Sequence, residues 1–136
     1  MSENKLKEVH KGSRLTVIHC KGALKSFREL LSKTGTPKYE KLILLQINRL
    51  IDGHRLSKQN FRQESELPAH PKNHVKKHFY AFKKIPIRAY GWYSETKPGV
   101  FFISHYIHKK RDELADSDKK IVKNNWERIE VNNEDT

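Results

Sequence analysis

The chain has 136 residues, room for one ordinary domain, and carries a formal net charge of +12, which points to a polyanionic partner: nucleic acid, ribosome or an acidic protein. An acidic membrane surface is the weaker match, and no apolar run approaches the roughly 20 residues that span a bilayer. The single cysteine, Cys20, excludes an internal disulfide and gives no support for a thiolate metal site.

MSENKLKEV lacks the apolar core of a secretory signal, so the expected location is the cytoplasm. Residues 1–13 read as a flexible tail, 14–130 as one domain and 131–136 as a second tail. Leu15 to Cys20 (LTVIHC) has the β-branched content of a first strand, with Cys20 as a small buried apolar residue. Ala23, Leu24, Phe27, Leu30 and Leu31 recur at helical spacing up to a stop near Gly35. Thr36 and Pro37 suit the N-cap and first turn of a second helix, which carries Tyr39, Leu42, Ile43, Ile47, Leu50 and Ile51 on one side and ends at Gly53 as its C′ residue. The two form a helical hairpin.

His54 to Lys77 is polar, contains Pro68 and Pro71, and has room for one short helix around Gln59 to Glu64. His78 to Ile85, Ile87 to Tyr93 and Val100 to Ile107 read as a meander of three strands, broken at Pro86 and by the turn sequence SETKPG. Asp116, Ser117 or Asp118 can cap a last helix bearing Ile121, Val122, Trp126 and Ile129. The expected fold is α+β: an N-terminal strand and helical hairpin on a small antiparallel sheet (β-α-α-β-β-β), then a C-terminal helix. His70, His74 and His78 would share a zinc-binding face only on a continuous helix, which Pro71 opposes, so no metal site is expected and no cofactor is implied.

The segment FKKIPIRAYGWYSETKPGVFFISHYIHKKRDEL resembles the signature region of the RelE/ParE superfamily of toxins from bacterial type II toxin-antitoxin systems, especially the HigB-like branch. The matching elements are Ile87-Arg88-Ala89-Tyr90, the turn at Pro98-Gly99, Phe102-Ile103-Ser104-His105 and the basic pair Lys109-Lys110. The order of elements is also similar, and the resemblance is specific from about His78 to Arg111. It implies a RelE-like fold and a ribosome-dependent endoribonuclease that cleaves translated mRNA and arrests growth. The implied partners are the 70S ribosome, mRNA and a cognate antitoxin, expected to be a helix-turn-helix DNA-binding protein. Other members of the superfamily, ParE-like, inhibit DNA gyrase instead, and a noncatalytic basic nucleic-acid-binding domain is a third reading.

Metal-independent cleavage needs a ribose 2′-OH deprotonated and aligned with the scissile phosphate, and fixed cations to meet the charge that develops there. Arg88 suits that task by its permanent charge and planar fork, and Lys83, Lys84, Lys109, Lys110 and Arg111 can line a basic groove. His105, His108, Tyr106 and His78 are the candidates for proton transfer. Tyr90, Trp92 or Tyr93 can stack on a base. Each residue also has a structural reading: Arg88 as an ordinary strand cation, 109–111 as a solvated connection, and the aromatics as packing. On a regular strand His105 shares a face with Phe101, Ile103 and Ile107, whereas His108 lies with Ser104 and Tyr106, which makes His108 the freer candidate. Many members of the family carry a tyrosine or histidine near the C-terminus; this chain ends VNNEDT, so that role passes to His78, Tyr106 or His108.

Overall fold

Strand-forming residues alternate from Ile87 to Tyr93, and β-branched or aromatic runs flank them; in the computed structural model these become a six-stranded mixed sheet with helices on both faces. Residues 5–34, 38–84, 86–108 and 114–136 are described. In chain order they form β1 (Val9–Lys11), β2 (Thr16–His19), α1 (Ala23–Thr34), α2 (Lys38–Ile51), β3 (Phe61–Glu66), β4 (His78–Lys84), β5 (Ile87–Tyr93), β6 (Val100–His108) and α3 (Asp116–Trp126). A π-helical turn, Glu127–Val131, extends α3.

The sheet order is β1-β2-β6-β5-β4-β3. All neighbours are antiparallel except β2 and β6, which run parallel with Val17 beside Phe101 and Ile18 beside Phe102. The expectation of a wholly antiparallel sheet is thereby corrected. The last strand of the meander enters the sheet beside β2 and runs in the same direction, separated from it in sequence by α1, α2 and three strands.

On one face α1 and α2 bury Phe27, Ile43, Ile47 and Leu50 against Val17, Phe82, Ile87, Ala89, Phe101 and Ile103. On the other, Val122, Trp126 and Ile129 cover Phe79, Ala81, Tyr90, Trp92 and Phe102. The helix α2 ends as its sequence requires. Gly53 adopts φ 86°, its N–H donates to the Leu50 carbonyl at 3.0 Å, and the His54 N–H donates to Arg49 at 2.9 Å, a Schellman closure. The expected cap at Thr36-Pro37, and the stop at Gly35, lie outside the described residues.

Four further expectations are corrected. The proposed short helix at Gln59 to Glu64 is instead the edge strand β3, because Phe61 stacks on Tyr80 with centroids 5.0 Å apart and packs on Phe82 at 4.8 Å. The expected N-terminal tail contributes β1, and Leu6 is buried, its N–H donating to the Glu40 carboxylate at 2.7 Å. The last helix is capped by none of Asp116, Ser117 or Asp118: its N-cap is Ala115, without a side-chain bond. At the other end Arg128 donates to the Thr136 carbonyl at 3.0 Å and pairs with Glu134 at 3.2 Å, so residues expected as a tail are tied to the domain.

Candidate functional site

The site is positioned by an irregularity in β6. Tyr90 pairs with His105 but Gly91 pairs with Ile103, so Ser104 is one extra residue, a β-bulge. Gly91 makes the bulge possible, since a Cβ there would stand 2.2 Å from the Phe102 carbonyl oxygen. The bulge reverses the alternation. Phe101 and Ile103 face α1 and α2, whereas beyond Ser104 it is His105 and Ile107 that face α3. The expectation that His105 shares a face with Phe101 and Ile103 is corrected for that reason; it does share one with Ile107.

That same α3 face collects the cations. Lys83 and Arg88 are directly opposite one another on β4 and β5, on the side of Ala81 and Tyr90, and Arg88 is opposite Ile107 on β6. His105 is therefore a diagonal neighbour of Arg88. All three are buried, Arg88 to 4%, His105 to 7% and Lys83 to 8% exposure. The two cations are thus brought side by side within the sheet. The Tyr90 hydroxyl lies beside the Arg88 guanidinium but makes no hydrogen bond of good geometry; burial, with the Asp118 charge adding to it, pushes its pKa up to about 12. On β3, Arg62 and Glu64 pair at 3.5 Å.

A directional chain of hydrogen bonds ties this face to α3. His105 Nε2 lies 3.0 Å from Asp118 Oδ1, and His105 Nδ1 lies 2.9 Å from Ser104 Oγ. A carboxylate only accepts, so Nε2 carries a proton, and in the neutral ring Nδ1 then accepts from the Ser104 hydroxyl. Ser104 Oγ in turn accepts from Asn125 Nδ2 at 2.9 Å, and Asn125 Oδ1 accepts from Arg128 at 2.8 Å. Asp118 and Asn125 stand two helical turns apart on α3, so each grips the bulge from the same side. The arrangement presents an imidazole with both nitrogens oriented, two cations and a phenol under one helix. Displacing Asp118 would leave the His105 Nε2–H without that acceptor.

The other candidates are not brought to this face. Tyr106 and His108 pair with Ala89 and Ile87 and point toward the α1 side. His108 lines a cleft of about 490 Å³ with Ser26, Glu29 and Lys33 of α1. Its assignment beside Arg88 is corrected: the bulge gives that place to His105. Tyr106 is wholly buried. Its hydroxyl donates to His19 Nε2 at 2.7 Å, because His19 Nδ1–H is committed to the Lys7 carbonyl at 2.7 Å, and burial raises the Tyr106 pKa well above the usual phenol value. Tyr93 sits among Phe61, Tyr80 and Phe101, and strand alternation places Lys84 and His78 on that same side, away from Arg88. Lys109, Lys110 and Arg111 lie outside the described residues.

His70 and His74 lie in a turn rather than a helix, and His70 uses both ring nitrogens: Nε2 donates to the Glu130 carbonyl at 3.0 Å and Nδ1 accepts from the Lys72 N–H at 3.1 Å. Among the described residues no group of His, Cys, Asp or Glu is placed to hold a metal ion. Burial pushes the Cys20 thiol up to about 12, which suits a small core residue. Trp92 donates to Glu130 Oε2 at 3.1 Å, as do Ser94 Oγ at 2.9 Å and, to Oε1, the Glu95 and Thr96 N–H groups at 2.7 and 2.9 Å. Burial alone would raise the Glu130 pKa, but these donors together hold it below the usual carboxylate range. Trp92 is thus a structural member of the β5–β6 turn.

Asp118, Ser104 and Asn125 escaped the sequence reading as site residues. Asp118 carried only a capping signal, and nothing local marks Ser104 as a bulge except Gly91 on the neighbouring strand. No protein-family model, no curated protein and no solved structure matches this chain. No helix among the described residues is long and apolar enough to cross a membrane.

Proposed function

We propose that this chain is the toxin of a toxin-antitoxin pair, with a RelE-like arrangement of hairpin and meander: a ribosome-dependent endoribonuclease that cleaves translated mRNA. The observation that carries the reading is the placement of Lys83, Arg88, Tyr90 and His105 on one face of β4, β5 and β6. A ribose 2′-oxygen attacks the adjacent phosphorus, the 5′-oxygen of the next nucleotide leaves, and a cyclic phosphate remains. Arg88 and Lys83 meet the charge on the phosphoryl oxygens, with the Arg88 fork matching two of them. His105 exchanges the proton at the 2′-oxygen or the leaving 5′-oxygen, and Tyr90 borders the same phosphate.

The described conformation is closed, with Asp118 on His105 Nε2. Substrate takes the place of Asp118 on His105 Nε2, and an antitoxin that keeps this face covered silences the protein. The location in this reading is the cytoplasm, where ribosomes and a cognate helix-turn-helix antitoxin are met.

Primer extension on mRNA from a translation extract containing the chain tests the reading. Cuts confined to translated regions, lost in Arg88→Lys at equal soluble expression, are expected; Arg88→Lys keeps the charge and removes the fork. Intact mRNA with accumulated gyrase-DNA breaks would instead assign a ParE-like gyrase inhibitor. Intact mRNA with salt-sensitive binding alone would assign a noncatalytic basic domain.

A further inference from the structure

A second basic feature lies on the α3 side, outside the cluster just described. Between α3 and the segment leading into β4 runs a cleft of about 520 Å³, walled by Lys119, Lys120 and Lys123 on one side and Lys76 on the other. All four lysines are exposed, and among the described residues Lys76, Lys120 and Lys123 have no ion-pair partner; Lys119 lies 3.8 Å from Asp116. The cleft floor includes Leu67 and Pro68, and Glu66 is its one carboxylate. Phe79 also lines it, on the same face of β4 as Lys83 and four residues away, about 13 Å along the strand.

We infer that this cleft holds the sugar-phosphate backbone of single-stranded RNA as it leaves the Lys83–Arg88 cluster. The inference rests on the endoribonuclease reading, and it names where the substrate extends. Lysines on two facing walls present point charges to a phosphate chain from both sides, and the apolar floor accepts ribose or base edges that an isolated phosphate would not need. The cleft exists with α3 seated, so it is open to RNA while His105 is still closed by Asp118. Binding there is electrostatic and insensitive to base sequence.

The test uses the full chain and a short fluorescein-labelled oligouridylate, titrated across a salt series. The cleft variant is Lys76→Gln with Lys120→Gln and Lys123→Gln. The control, Lys25→Gln with Lys41→Gln and Lys58→Gln, removes the same charge from exposed positions elsewhere. Circular dichroism and thermal midpoints verify that both fold.

The cleft variant is expected to bind at least about tenfold more weakly at low salt, with the log–log salt slope shallower by about 2, while the control stays within about threefold of wild type. Equal losses in the two variants would show that net charge alone binds RNA and overturn the cleft. So would unchanged RNA binding with weakened binding of poly-L-glutamate, which would assign the cleft to an acidic protein. mRNA cleavage is read separately. A cleft-specific loss in a chain that makes no cuts leaves the cleft and removes the nuclease, and cuts made by a chain whose oligouridylate binding ignores the cleft do the reverse.

Discussion

His105 Nε2 and Asp118 Oδ1 stand 3.0 Å apart, joining strand β6 to helix α3 across 13 residues of chain, and both side chains are buried. The contact closes the proposed site, so its two partners should respond differently to substitution. His105→Ala is expected to lower mRNA cleavage by about 10²–10⁴, the usual worth of a proton-transfer group. Asp118→Asn keeps an acceptor oxygen but loses the charge. It should cost about 1–2 kcal/mol of stability, speed amide exchange in α3, and leave cleavage intact or raised. A His105→Ala chain that still cuts mRNA at the wild-type rate removes His105 from the chemistry.

Tyr106 is expected to be structural. Tyr106→Phe removes the hydroxyl that donates to His19 Nε2 and leaves a buried acceptor unmet among the described residues, at a cost of about 1–3 kcal/mol in urea unfolding. Cleavage and growth inhibition should not change while the protein remains folded. A large loss of kcat in a Tyr106→Phe chain of near-normal stability would return this residue to the candidate site.

Acid should weaken the fold through His19. Burial lowers its pKa from 6.5 to about 4, so the unfolded chain binds a proton in this window that the folded chain refuses. The associated stability is whole above pH 6.5 and is lost as pH falls toward 4, by roughly 3 kcal/mol. Urea midpoints at several pH values measure the loss, and the His19 ring resonances assign it. A His19 titration near its ordinary value would refute this account.

Gly91→Ala should be among the most disruptive small substitutions. Its Cβ meets the Phe102 carbonyl at 2.2 Å and the Phe101 ring at 2.5 Å, and a backbone oxygen inside the sheet has nowhere to move. A loss of about 2–3 kcal/mol is expected, with loss of His105 function as the bulge relaxes. Thermal unfolding near the wild-type midpoint would show that the bulge tolerates a side chain.

Local signals placed much of the fold. The helical spacing of Ala23 to Leu31, the closure of α2 at Gly53, and the bounds of β5 all follow from residues near one another in the chain. The strand β3 was not legible, because FRQESE has little apolar content of its own and becomes a strand by stacking Phe61 on Tyr80. Arg88 and Lys83 could be named as candidates from residue type. That they share a face with His105 and not His108 could not, since alternation counts residues and the bulge at Ser104 adds one.

By itself the sequence determined the charge, the two N-terminal helices, the meander and the residue types available for phosphate chemistry, since those depend on composition and on spacing along the chain. Tertiary structure alone decided that β2 runs parallel to β6, that Asp118 binds His105, and that Tyr106 belongs to His19. Each of those depends on segments far apart in sequence meeting in one packed core, where a one-residue shift in register exchanges the two faces of a strand.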